Sequence, residues 1–319
     1  MEKKLDVVTI GDGMVTMNPK SKGPLRFVTE FERRAGGAEL NFAIGCARLG
    51  LRAGWISRLG RDEFGIYVRN FARGEGVDVS CVELVEGYST SVNFKEIWED
   101  GSGKTYYYRA NSPVLTLHPD ELPYNYIRQA KVLHMTGVFA AIRQDDMTIV
   151  HRALEFAKQH QVLVSFDPNI RLKLWSAEKA ACHLVPLLPY VDIMLAGIEE
   201  AELLLGTDDE QQIVERLMDF GIQCIAIKLG EQGSIGSMGG KVVKVPAPKL
   251  KVVADSVGAG DGFDAGFIFG FMQGWPLEEI LVFSNTVGSM VASVSGDNEG
   301  LPYREEVLAK LGRMKIIDR

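Results

Sequence analysis

The residues best suited to chemistry lie at Asp255-Ser256-Val257-Gly258-Ala259-Gly260-Asp261-Gly262-Phe263, with Asp264-Ala265-Gly266-Phe267-Ile268-Phe269-Gly270 behind them. Two glycines around an alanine permit a tight turn that leaves backbone N–H groups uncovered, and the apolar run that follows reads as a helix whose N-terminus those amides form. Such a turn is an anion socket. An Asp at its rim suits removal of a proton beside a bound phosphate. It equally suits capping the helix, and the local sequence leaves both readings of Asp261 open.

Three further polar groups sit where strands end. Gly11-Asp12-Gly13 closes the apolar run 5–11, and Asp167-Pro168-Asn169-Ile170-Arg171 leaves the run 162–167 in the same way. In open α/β sheets, ligands gather at those ends. Arg171 suits a phosphate or carboxylate there, although a surface ion pair accounts for a lone Arg as well. Lys228-Leu229-Gly230-Glu231-Gln232-Gly233 ends a third strand in a glycine-rich turn, which either lets backbone approach a nucleotide or simply opens a hairpin. Two tempting motifs fail. Gly103-Lys104-Thr105 would need a glycine where Trp98 stands to make a phosphate-binding P-loop, and Gly258-x-Gly260 has Phe263 where a dinucleotide fingerprint has its last glycine.

The elements that must hold these groups follow from periodicity. Gly36-Gly37 opens a helix with Leu40, Ala43, Ile44 and Ala47 at helical spacing and Asn41 in its first turn. Residues 54–60 read as a strand and 62–73 as a helix. From about residue 130, short apolar strands at 132–136, 162–167, 191–195 and 224–229 alternate with helices near 145–160, 177–188, 199–205 and 208–220, which predicts a parallel sheet covered on both faces. Helix 263–273 is apolar nearly all round and is expected at the centre; 276–294 and 304–313 close the chain. Residues 90–98 and 104–110 alternate around Glu99-Asp100-Gly101-Ser102-Gly103, a hairpin signature. With residues 14–35, where 27–34 reads as an exposed strand, they form an expected lid covering about 14–35 and 88–112 within one 1–319 unit.

The chain has 319 residues, 46% hydrophobic, with a formal charge of -7. That is enough to bury a sizeable core, and the acidic balance argues against nucleic acid or an anionic membrane as partner. Cysteines 46, 81, 182 and 224 lie far apart, which indicates neither zinc nor a disulfide framework; all but Cys81 are expected to be buried. The start lacks the apolar stretch of a signal peptide, and no window reaches membrane-span length, so a cytoplasmic location is expected.

Gly36-Gly37 with Asn41, the run through Arg58-Leu59-Gly60-Arg61-Asp62-Glu63-Phe64-Gly65, and Asp255 to Phe263 resemble the two signatures of the ribokinase-like (PfkB) sugar kinases, in the same order and at the same separation. The resemblance covers essentially the whole chain. It implies a three-layer α/β/α domain with a mostly parallel central sheet and a small β-sheet lid, ATP as phosphoryl donor, Mg2+, and a sugar hydroxyl as acceptor. Asp261 then corresponds to the catalytic base and Gly258, Ala259 and Gly260 to the anion hole. Asp12, Gly36, Gly37 and Asn41 correspond to sugar contacts, and the nucleotide side comprises Lys228, Gly230, Gly233, Gly258, Gly260 and Asn285. The family's N-x-x-E magnesium motif reads Gly197-Ile198-Glu199-Glu200, so Glu200 alone matches, reaching the metal through water.

Within the family, Tyr106 to Ser112, Asp167 to Trp175 and Gly296-Asp297-Asn298-Glu299-Gly300 resemble segments of kinases acting on 2-keto-3-deoxygluconate. By that resemblance Tyr107, Arg109 and Asp297 contact substrate, and Arg171 serves phosphates and substrate. Residues two apart on a strand share a face, so Tyr107 and Arg109 are expected to project together, and an Arg fork matches a carboxylate. The function implied is phosphorylation of that sugar acid to its 6-phosphate. Alternatives are a fructose, ribose or 5-dehydro-2-deoxygluconate kinase, or a regulatory protein that binds sugar or nucleotide with little turnover. Val92, Phe94 and Trp98 on the lid suggest a homodimer formed through that sheet.

Overall fold

The computed structural model describes residues 3–99, 103–250 and 253–315. Thirteen strands among these residues form two sheets: β1 (Leu5–Ile10), β2 (Met14–Pro19), β3 (Phe31–Gly36), β4 (Ala53–Gly60), β5 (Asp78–Val85), β6 (Ser91–Ile97), β7 (Gly103–Tyr108), β8 (Ala130–Thr136), β9 (Leu163–Asp167), β10 (Ile193–Gly197), β11 (Cys224–Lys228), β12 (Ser234–Met238) and β13 (Lys241–Val245). Nine lie in one sheet ordered β13-β12-β11-β10-β9-β8-β1-β4-β5 and four in another ordered β3-β2-β6-β7. In the large sheet β11, β10, β9, β8, β1, β4 and β5 run parallel, and the β12–β13 hairpin adds an antiparallel edge.

Side chains alternate between two buried faces. Val8, Ile10, Leu133 and Met135 join the core under helices Thr148–Gln159, Ala177–Leu184, Ile198–Leu205 and Glu210–Asp219. Val7 and Val132 face the opposite core, under helices Ala38–Arg48, Glu63–Gly74, Ala259–Met272, Leu277–Ala292 and Arg304–Lys310. Both faces are therefore dry, which is what near-continuous apolar strands require. The result is the expected three-layer α/β/α arrangement. Ala259–Met272 is central: it is buried from Asp261 to Gly270, and Gly45 of the first helix lies so close to Ala265 that a Cβ there would stand 2.8 Å from its Cβ.

The four-stranded sheet stands apart, built from the 14–35 and 88–112 segments. β6 and β7 pair antiparallel, with Glu96 opposite Lys104. Lys104 thus belongs to a strand with no helix behind it, and a P-loop is excluded. The expected turn at 100–102 lies outside the described residues. β3 begins only at Phe31, because Leu25–Phe27 forms a 3-10 turn.

Elsewhere the differences have local causes. The helix expected over 177–188 stops at Leu184, where Pro186 and Pro189 divert the chain into a 3-10 segment at Val185–Tyr190. Cys182, expected to be buried, is exposed; it occupies the outer face of that helix while Ala180 and Leu184 face the core. β5 and the β12–β13 hairpin gave no separate strand expectation; β5 and β13 are the two edge strands, whose polar residues blur the alternation. Among the described residues no helix is long and apolar enough to cross a membrane.

Candidate active site

The C-terminal ends of the parallel strands carry the polar groups. Beyond β1, the buried Asp12 accepts hydrogen bonds from Ser112 Oγ at 2.8 Å on Oδ1, and from Ser91 Oγ and Arg109 Nη2, each at 2.9 Å, on Oδ2. β7 ends at Tyr108, so Arg109 follows the strand rather than lying on it, while its side chain and that of Tyr107 line one cavity as expected. The chain turns there, bringing the guanidinium inward to the Asp12 carboxylate with its carbon 5.8 Å from the Tyr107 ring centre. Arg109 Nε is buried without a partner among the described residues, so part of the fork stays available.

On the facing helix, Gly258 is the N-cap at φ 80°, and a Cβ there would collide with the Asp297 carbonyl oxygen, so the turn needs glycine. The Ala259 amide bonds Ser256 O at 3.3 Å and the Gly262 amide bonds Gly258 O at 2.9 Å. The first-turn amides of Gly260 and Asp261 have no intrahelical acceptor, whereas the Ala259 amide is engaged. The Asp261 side chain caps nothing: Oδ2 accepts from Asn41 Nδ2 at 2.8 Å and Oδ1 from Asn169 Nδ2 at 3.4 Å. Burial pushes its carboxyl up to about 6, reinforced by Asp167 and opposed by the Asn41 hydrogen bond and by Arg171. Asn169 adopts φ 37°, an αL conformation that Asn tolerates. Its amide and side chain both bond Asp167, each at 3.2 Å.

Asp12, Gly37, Asn41, Tyr107, Arg109, Arg171, Gly258, Asp261 and Asp297 bound one cavity. Arg171 is exposed at its rim, with no ion pair among the described residues. Asp297 lines the same cavity and is bonded by the buried Lys95 of β6, which also reaches Asp255 at 3.5 Å. Gly36 lies directly against the Asp297 carboxylate.

Lys228 stands beside the socket, where a Cβ on Gly260 would be 3.6 Å from its Nζ. The ammonium is clamped by Asp264 at 3.1 Å and Asp167 at 3.3 Å. Burial opposes its charge, but those two carboxylates outweigh burial and hold its pKa above the usual range. Burial also opposes ionisation of Asp167, yet Lys228 holds that carboxyl below its ordinary value, whereas burial and Asp167 push Asp264 well above. The charged pair is therefore Lys228 with Asp167. Glu200 accepts from the Ile170 amide on Oε1 and the Gly197 amide on Oε2, both at 2.8 Å. Burial, then Asp167, raises it. No cluster among the described residues could hold a metal by itself.

Gly230 and Gly233 turn β11 into β12, so the hairpin reading of that stretch holds. Gly233 abuts the Val245 carbonyl, which also accepts from Asn285 Nδ2 at 3.2 Å. This second group lies outside the cavity lining.

The family model for pfkB family carbohydrate kinases matches residues 4–304. The chain belongs to the pfkB carbohydrate kinase family. It is 33% identical over 316 residues to 2-dehydro-3-deoxygluconokinase of Bacillus subtilis (strain 168), covering 98% of both chains. It is 29% identical over 315 residues to 5-dehydro-2-deoxygluconokinase of Geobacillus thermodenitrificans (strain NG80-2), covering 96% of this chain and 93% of that one. A solved structure of a ribokinase II candidate from E. coli, in complex with ATP and Mg2+, shares the fold with a TM-score of 0.90 at 23% identity, over 97% of this chain and 100% of that one. This pfkB chain is a phosphotransferase with an alcohol group as acceptor.

Sequence reasoning missed several residues of this pfkB site: Glu39, Ser91, Lys95, Ser112, Asn169 and Asp264. Asn169 was visible as part of a polar strand end, and Asp264 as a charge in an otherwise apolar helix. Ser91, Lys95 and Ser112 read as ordinary strand or turn polarity, because only the packing of one sheet against the other reveals what they face.

Proposed function

We propose that this kinase transfers the γ-phosphoryl group of ATP to the terminal hydroxyl of a sugar acid, 2-keto-3-deoxygluconate. The observation that carries the reading is the buried Asp261 carboxylate, held by Asn41 at the socket rim in a cavity that also holds Arg109. Asp261 accepts the hydroxyl proton as the oxygen bonds to the γ-phosphorus and the bond to the bridging oxygen breaks, releasing ADP. The Gly260 and Asp261 amides, the helix N-terminus and Arg171 stabilise the charge on the transferring group. Lys228 offsets the Asp167 carboxylate beside that region. Glu200 would hold Mg2+ only through water, and the ion would supply neutralisation of the phosphate charge. Gly230, Gly233 and Asn285 shape the nucleotide side.

Arg109 supports an acidic acceptor. One nitrogen is engaged by Asp12 and its buried Nε is unpartnered, so a substrate carboxylate completes the fork. The four-stranded sheet serves as lid, excluding water that would otherwise take the phosphoryl group, and two copies pair through its exposed aromatic face. Coupled ATP turnover against 2-keto-3-deoxygluconate, 5-keto-2-deoxygluconate, fructose and ribose tests the assignment. The first should give the highest kcat/KM, and Arg109→Ala should lower it by about one to two decades, with a smaller effect on neutral sugars. Preference for a neutral sugar, or equal loss for acidic and neutral acceptors, overturns the sugar-acid reading and leaves the kinase standing.

A further inference from the structure

Asn298 lies in the loop after the helix Leu277–Ala292 and is fully buried. Its backbone is fixed by Arg48, the last residue of the helix Ala38–Arg48, whose Nη1 donates to the carbonyls of Asn298 at 2.8 Å and Leu301 at 2.7 Å. The orientation of its side chain follows from what it meets. Nδ2 donates to the Ala35 carbonyl at 2.7 Å and to Asn41 Oδ1 at 3.3 Å. A backbone carbonyl only accepts, so the NH2 end must lie on that side, and the atom of Asn41 that meets its second proton must be an acceptor. Asn41 therefore turns Oδ1 to Asn298 and Nδ2 to Asp261 Oδ2, at 2.8 Å. Asn298 Oδ1 is buried with no partner among the described residues, so the hydrogen bonds of this side chain run through its two N–H groups.

We propose that Asn298 is a positioning residue for phosphoryl transfer: it locks the Asn41 carboxamide with its N–H toward Asp261, and so sets the direction in which the base presents its carboxylate to the acceptor hydroxyl. This rests on the reading of Asp261 as the base and deepens it. The O and N ends of a carboxamide have almost the same shape, so packing alone does not choose between its two half-turn orientations. In the flipped state Asn41 Oδ1 would point at the Asp261 carboxylate, acceptor against acceptor, and its NH2 at the NH2 of Asn298, donor against donor. Asn298 thus adds a second penalty to the wrong orientation. The other side-chain donor to Asp261 among the described residues is Asn169, on Oδ1 at 3.4 Å, so the shorter Asn41 bond carries most of the direction. Ala35, where the series is anchored, lies in β3, and the base therefore takes its direction from the backbone of the four-stranded sheet.

The test is a double-mutant cycle on kcat, with whichever of the four acceptors named above the wild type turns over best, comparing the wild type, Asn41→Ala, Asn298→Leu, the double variant and Asp261→Asn, with pH–rate profiles and melting temperatures alongside. Leu is close to Asn in shape and cannot donate, so Asn298→Leu should lower kcat about tenfold and leave the KM for ATP unchanged. Its acid limb in kcat/KM should move up from about 6, as in Asn41→Ala, because the ionised Asp261 loses a donor. Asp167, Arg171 and Lys228 also act on Asp261, with Asp264 on its own helix and Asp12, Arg109 and Asp297 across the cavity, and all are common to these variants of Asn41 and Asn298. Once Asn41 is truncated Asn298 has nothing to orient, so the double variant should lie within about twofold of Asn41→Ala. A purely structural Asn298 would multiply the two losses and leave the limb in place. Either of those results overturns the proposal, as does a wild-type kcat in Asn298→Leu. If Leu does not fold, Asn298→Ala runs the same cycle. An Asp261→Asn variant that keeps a tenth or more of kcat fails the base assignment itself and takes the Asn298 role with it, whereas an inactive one beside multiplied losses fails Asn298 alone.

Discussion

Asp261 combines two properties that normally conflict: it is buried, yet it must be charged to accept a proton. Burial raises its carboxyl to about 6 from an ordinary 3.8. The working form is the ionised one, so kcat/KM should hold above about pH 6 and fall as pH drops through it, a limb read directly from a pH–rate profile. For stability the sign is the opposite. Between about pH 4 and 6 the folded chain binds more protons than the unfolded one, so this residue makes folding progressively less favourable as pH rises across that window. Asp261→Asn removes the burden along with the base. It should lower kcat by roughly two to four orders of magnitude while leaving ATP affinity, which depends on backbone amides, and should melt no lower than the wild type at pH 7.5. A variant keeping a tenth of wild-type kcat removes Asp261 from the chemistry.

At the level of elements, the four-stranded sheet is tied to the segment that carries the socket by two cations. Lys95 of β6 bonds Asp297 and reaches Asp255, and Arg34 of β3 donates to Ser295 O at 2.8 Å and pairs with Glu299 at 3.3 Å. Seating the sheet therefore positions both ends of the turn around Gly258. Lys95→Met leaves the buried Asp297 carboxylate without its cation, which typically costs about 3 kcal/mol. The variant should unfold at lower denaturant, and if the sheet shields the transferring phosphoryl group it should also release more phosphate from ATP in the absence of acceptor. Wild-type levels of that uncoupled hydrolysis, together with a lowered midpoint, would limit Lys95 to a structural role.

For the whole molecule, the open question is how the outer face of that sheet is covered. Phe94 packs edge-on against Phe31 at 5.3 Å and Tyr108 at 5.8 Å, and Trp98 and Tyr108 remain 39% and 67% exposed. A single-sheet lid with exposed aromatic side chains is a poor monomer surface. If two copies pair there, sedimentation equilibrium should give twice the chain mass, and Trp98→Glu with Tyr108→Glu should halve it and reduce activity together. A monomeric wild type excludes the pairing.

What the sequence determined by itself was whatever depends on local spacing. The alternation from residue 130 onward fixed the parallel sheet, because strands buried on both faces must be apolar throughout, and the Gly258-Ala259-Gly260-Asp261 order fixed a helix N-terminus with an acid in its first turn. Sequence also brought Asp12, Asn41, Arg171 and Asp261 into one expected site, through a family pattern that spans the chain. Tertiary structure alone decided partners. Whether Asp261 caps a helix or meets Asn41 and Asn169 depends on three elements from distant parts of the chain, and nothing near Asp261 in sequence encodes that choice. The same holds for Arg109, which its spacing placed on a strand face but a turn delivers to Asp12, and for Lys228, whose neighbours Asp167 and Asp264 are brought to it only by strand order. Glu39 shows the limit most clearly: in sequence it is a first-turn acid of an amphipathic helix, a position usually solvated, and only the tertiary structure buries it against Thr136.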